Sequence, residues 1–105
     1  MRKFPIHIWA LTGLALVSGA AQADAAAGAA TATGVCATCH GAKGISAADT
    51  FPNLAGQKKS YLVGALKAYR DKTRNNPMMN GMAAPLNDQQ IEDLAAYYAS
   101  QKPCE

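Results

Sequence analysis

The sequence predicts an all-α domain of three principal helices joined by two long, irregular loops. Three observations carry this. No stretch after the first two dozen residues alternates apolar and polar side chains as a half-buried strand does. Three segments instead repeat apolar residues at helical spacing. The two segments between them are rich in glycine, proline and asparagine, and they are longer than loops in so small a domain usually are. Loops of that length are expected if both wrap a large ligand instead of each other.

The first residues, "MRKFPIHIWALTGLALVSGAAQA", have the layout of a secretory signal peptide. A basic start (Arg2, Lys3) precedes an apolar run from Ile8 to Ala20, and the segment closes on Ala21-Gln22-Ala23. The run is shorter than the ~20 apolar residues that span a bilayer, and no cysteine follows to take a lipid anchor. Residues 1–23 are therefore expected to be removed, leaving a single domain over residues 24–105 with no membrane anchor, exported to the periplasm. Arg2 and Lys3 leave with that segment, so eight basic residues face seven acidic ones, a net charge of +1. So small a charge excludes the electrostatic footprint of a nucleic-acid binder.

The first helix is expected from about Ala25 to Thr38. Asp24 is a good N-cap and the segment "AAAGAATATGVCATC" is rich in alanine. Gly28 is a candidate helix-crossing point, with Tyr97 expected opposite it on the last helix. Residues 41 to 57 are loop-like. The second helix, "KKSYLVGALKAYRDKTR", places Tyr61, Leu62, Ala65, Leu66 and Tyr69 on one side and lysines on the other. In "NNPMMNGMAAPL" two prolines, a glycine and paired asparagines forbid a long helix. Asn87 opens the third helix, "NDQQIEDLAAYYASQ", with Gln90 completing a variant capping box and Asp88 at the positive helix end. Its apolar stripe is Ile91, Leu94, Ala95 and Tyr98, and Pro103 ends it.

A domain of this size rarely supplies a sufficient core by itself. The run Cys36-Ala37-Thr38-Cys39-His40 answers the need. Cys-x-x-Cys-His is the attachment site of a c-type haem: two thiols at a helix end reach two vinyl groups of one porphyrin, and the adjacent imidazole binds iron. A redox disulfide suits a strand-containing βαβ setting. A zinc site needs a fourth ligand, and the remaining histidine, His7, lies in the leader. The other cysteine, Cys104, stands near the terminus; a monomer with a free thiol is expected, a Cys104-linked dimer being the alternative. With His7 removed, the sixth iron ligand must come from Met78, Met79 or Met82, all within five residues of the second loop. A thioether there closes the iron and raises its reduction potential.

The chain resembles the small class I c-type cytochromes, in particular the bacterial periplasmic group around cytochrome c4 and c553. The resemblance runs through "CATCHG", "FPNLAGQ", "YLVGALKAYRDKTRNNPMM" and "LNDQQIEDLAAYYASQ", essentially all of residues 24–105. It implies the small cytochrome c fold around one covalent haem c with its iron. It implies thioethers at Cys36 and Cys39 and axial ligands His40 and Met79, with Met82 as runner-up and Met78 the least favoured. It further implies that the Pro52 carbonyl accepts from the axial histidine, and that Tyr61 and Arg74 lie near the haem or its propionates. Simple helix packing is the other reading of Tyr61. Relatives often have Gln at position 65 and Gly at 72, where this chain has Ala65 and Lys72.

These features describe a one-electron carrier and not an enzyme, docking briefly with redox partner proteins that the sequence does not name. The second-helix lysines could steer an acidic partner or simply be a solvated face. A dedicated cytochrome subunit of a periplasmic dehydrogenase or oxidase complex is the alternative. A haem sensor or enzyme with a displaceable sixth ligand is the more distant one.

Overall fold

Asp24 starts the first helix as its residue type suggests: its carboxylate accepts from the amides of Ala26 (2.9 Å) and Ala27 (3.2 Å). The protein is described here by a computed structural model covering residues 22–103, with Arg2 and Lys3; the rest of the expected signal peptide, and Cys104, lie outside the described residues. From Asp24 the chain runs without a break through α1 (Ala25–Thr31), a π-helical turn (Ala32–Cys36) and α2 (Ala37–His40). The helix thus continues two residues beyond the expected Thr38. The π turn, marked by the Ala37 amide donating to Ala32, holds one residue more per turn and sets the angular position at which Cys36, Cys39 and His40 leave the helix.

Alpha-helix α3 covers Lys59–Arg70, α4 Pro77–Ala83 and α5 Asp88–Ala99, and there is no strand among the described residues. Helix α3 stops short of its sequence pattern. The amides of Lys72 and Thr73 turn back to the carbonyls of Tyr69 (3.3 Å) and Ala68 (3.0 Å), a Schellman closure. Lys72 takes the left-handed position at φ 64°, a backbone conformation that favours glycine, so the departure from glycine expected there bears on the backbone and not on side-chain packing.

Helix α4 corrects the expectation of an irregular methionine loop. Pro77 occupies the first turn, where its missing N–H costs nothing, and the Asn76 side chain caps the helix by accepting from Met79 N (3.1 Å). Proline forbids a long helix there but starts a short one. Helix α5 has the expected capping box: Gln90 N donates to Asn87 Oδ1 (2.8 Å) and Asn87 N to Gln90 Oε1 (2.9 Å). Arg70 ties the end of α3 to the start of α5 through Asp88 (2.6 Å), and this ion pair holds the exposed Asp88 carboxyl below its usual range.

α1 and α3 both pack on α5, and α4 packs on α3. The α1–α5 crossing falls at Gly28, as its sequence position suggests. The partner is different: a methyl group at Gly28 would overlap the Asp93 carbonyl oxygen and lie 2.5 Å from its carbon. Two backbones meet there, and no aromatic ring is involved. Tyr97 instead donates its hydroxyl to Ala42 O (2.5 Å), anchoring the loop that follows α2. That loop is also held at Gly44, whose carbonyl accepts from Leu54 (2.7 Å) and Ala55 (3.0 Å). The polypeptide core comprises Ala32, Leu62, Leu94, Ala95 and Tyr98. Among the described residues only Ile91 and Leu94 are large side chains that are fully buried. That is little for a domain of this length.

Candidate functional site

The missing core is a cavity of ≈ 530 Å³ between the helices, within the size range of cofactor sites. It is bordered by Cys36 and Cys39 from the first helix, His40 from its last turn, and Phe51, Pro52 and Leu54 from the loop. Tyr61, Leu62, Leu66 and Tyr69 come from α3, and Leu94 and Tyr98 from α5. Arg74, Met78, Met79 and Met82 complete the wall. Every residue singled out in the sequence for the site borders this one cavity.

His40 is buried, with 7% of its surface exposed, and its Nδ1 lies 2.8 Å from the Pro52 carbonyl oxygen. A carbonyl can only accept, so Nδ1 carries the proton and Nε2 keeps its lone pair. This is the tautomer that binds metal, with the ring held in place by the loop backbone. α2, which bears His40, and α4, which bears the methionines, both border the cavity. Of the three methionines, Met78 and Met82 are 55% and 47% exposed, while Met79 is partly buried.

Cys36 and Cys39 are free thiols. Burial pushes the Cys36 thiol up, against a smaller opposing effect of the Tyr98 hydroxyl beside it. Among the described residues no three His, Cys, Asp or Glu side chains come together to hold a metal ion. The two thiols and the imidazole therefore do not converge on one centre, as zinc would require, but spread along the edge of an apolar space. That arrangement fits a flat macrocycle bonded at its rim and ligated near its middle.

Tyr61 is 52% exposed and borders the cavity, so packing within the helix does not account for it. Arg74 reaches its hydroxyl (3.4 Å) and stacks 4.7 Å above the Tyr69 ring, leaving a cation at the cavity mouth. Ala65 borders the cavity, while Lys72 lies outside it.

Two residues of the site carry no distinctive signal in the sequence. The Tyr98 hydroxyl is buried with no hydrogen-bond partner of good geometry, and burial raises its pKa well above the usual phenol value. Asn80 donates to the carbonyls of Tyr69 (2.8 Å) and Arg74 (2.9 Å) and accepts from Asn76 N (3.0 Å). It staples the methionine helix to α3. Its only sequence clue is its place in a Pro/Gly-punctuated stretch beside the methionines.

A small helical domain whose thin core surrounds an apolar slot, with a Cys-x-x-Cys-His helix end on the wall and methionines bordering it, defines a covalent haem-binding protein. The family model for cytochrome c matches residues 25–102, and the chain belongs to the cytochrome c family. Cytochrome c4 of Pseudomonas aeruginosa is 49% identical over 92 residues, covering 88% of this chain and 43% of the relative. Cytochrome c-554(548) of Halomonas halodenitrificans is 48% identical, covering 75% of this chain and 98% of its own. The solved cytochrome c4 of Pseudomonas stutzeri superposes with a TM-score of 0.71 at 42% identity, covering 76% of this chain and 46% of the other. A protein of Thiomonas intermedia named a thiosulfate dehydrogenase electron acceptor is 45% identical over 65% of this chain and 32% of its own. The chain thus spans about half the length, or less, of the cytochrome c4 relatives it matches. Members of the family are electron-transfer proteins carrying covalent haem c, and are not enzymes.

Proposed function

We propose that this chain is a periplasmic one-electron carrier, exported by residues 1–23 and cut after Ala23. In this reading Cys36 and Cys39 would hold one haem c by thioether bonds, and His40 Nε2 and Met79 Sδ would ligate its iron. The bound group supplies a single reversible electron change. The observation that carries the reading is the His40–Pro52 hydrogen bond of 2.8 Å, which commits Nδ1 and presents Nε2 to the cavity that Met79 also borders.

The chain's own residues set the conditions for that change. Apolar side chains from α3 and α5 exclude water. A thioether ligand keeps the iron closed to exogenous ligands and favours the reduced state. Arg74 and Tyr61 stand at the cavity mouth, where a cation and a hydroxyl suit the propionate carboxylates. Met82, about half exposed on the cavity wall, would cover the haem without ligating it. Val35 and Met78, which are 50% and 55% exposed, border the cavity where it opens to solvent, and an electron would be exchanged with a partner across that border. Docking is expected to be transient. The Thiomonas relative's name favours a second reading, in which the electron donor is a sulfur-compound dehydrogenase.

The test is a protein expressed with export and haem maturation, then fractionated. A periplasmic species that keeps its pigment after denaturation, and titrates as one one-electron wave without fast binding of carbon monoxide at neutral pH, supports the carrier. Rapid carbon monoxide binding would make it a sensor or enzyme instead.

A further inference from the structure

Asp93 carries a charge that the site does not explain. It is 8% exposed and stands on α5 where Gly28 brings the first helix onto it. Among the described residues its carboxylate has no lysine, arginine or histidine nitrogen within 4.0 Å. Burying a carboxylate without a cationic partner is costly. Its Oδ1 accepts two hydrogen bonds: from Gln89 Nε2 at 2.8 Å and from the backbone nitrogen of Asp24, also at 2.8 Å.

That nitrogen is the one freed by cleavage after Ala23. We propose that Asp93 is the acceptor site for the chain's own processed N-terminus. Hydrolysis of the Ala23–Asp24 amide by water leaves a carboxylate on Ala23 and an ammonium on Asp24. One amide N–H at 2.8 Å from the carboxylate becomes a cation with three donors at the same place. The buried charge then has its partner.

The inference rests on the proposed cleavage site, and it adds a consequence. Before processing, the Gln89 side chain is shared between Asp93 and the Gln22 carbonyl (3.0 Å). Afterwards only the Asp93 contact remains, beside the new ion pair. The first helix, which carries Cys36, Cys39 and His40, is therefore fastened to α5 most firmly once the leader is gone. The Asp24 carboxylate, already capping Ala26 and Ala27, offsets the cost of a positive charge at that helix end.

A double-mutant cycle on periplasmic holoprotein tests this. One change is Asp93→Asn. The other is a Gly-Ser insertion between Ala23 and Asp24, which keeps the Asp24 nitrogen a neutral amide. Intact mass reads the N-terminus, and guanidinium unfolding followed by circular dichroism reads stability. With Asp24 as the terminus, Asp93→Asn is expected to raise the unfolding constant about tenfold. In the inserted form the same substitution should change it less than about threefold. Should Asp93→Asn fail to accumulate, the insertion alone is expected to raise the constant about tenfold in the Asp93 background. A mass beginning at another residue overturns the proposal by removing its premise. A mass beginning at Asp24 with equal Asp93→Asn effects in both forms, or with no effect of the insertion, overturns the ion pair and leaves the processing reading standing.

Discussion

The α1–α5 crossing and the α3–α4 side of the cavity are built on opposite plans. At the crossing, backbone meets backbone at Gly28 and Asp93, and the contact is complete within the polypeptide. On the other side, α4 is held by hydrogen bonds of Asn76 and Asn80, while Tyr61, Met78 and Met82 are left about half exposed. The first region is a scaffold made by close approach. The second is a wall whose missing neighbour is the haem, and its stability should depend on that group.

The largest expected effect separates the two at once. Without the group that fills it, a cavity of ≈ 530 Å³ with an apolar lining stands open to water, and the few large buried side chains leave little else to hold so small a domain together. Cys36→Ser combined with Cys39→Ser, purified without haem, should therefore lose most of its helical circular dichroism at 25 °C. A haem-free chain with full helicity would show that the wall stands alone. Gly28→Ala comes next. Its methyl group forces the two helices apart, at about 1–3 kcal/mol, and calorimetry of the holoprotein should show the loss with the reduction potential unchanged.

Asn80→Ala sharpens the comparison from the other side. It leaves the Tyr69 and Arg74 carbonyls and the Asn76 amide short of a partner and should cost about 1–2 kcal/mol. Because it loosens the helix that carries Met79, it should also speed carbon monoxide binding to the reduced protein, which Gly28→Ala should not. Lys72→Gly has the smallest effect and the opposite sign. It relieves the left-handed backbone at φ 64° and should add about 0.5–1 kcal/mol, measured by guanidinium unfolding.

The same contrast explains what could be read from the sequence. Asp24, the Asn87–Gln90 box and the apolar stripe of α5 were legible because caps and periodicity are local. The glycine crossing was legible too, although its partner was not: the sequence does not show that Asp93 offers backbone there while Tyr97 turns to Ala42. The cavity side was legible as chemistry and poorly as structure. The Cys-x-x-Cys-His run, Pro52, Tyr61, Arg74 and the methionines all border one space. Helix α4 was missed because Asn76-Pro77 reads equally as a break and as a cap followed by a first helical turn. The end of α3 was missed because lysine fills a position that usually announces itself as glycine. The π turn before Cys36 has no local signal in the sequence.

The ferric near-infrared spectrum tests the central claim most directly, since it reports whether methionine sulfur is bound to the iron. The band should be present in the native protein, absent from Met79→Ala and retained in Met82→Ala. Its survival in Met79→Ala, with loss in Met82→Ala, would contradict the assignment of the iron to the His40–Met79 pair.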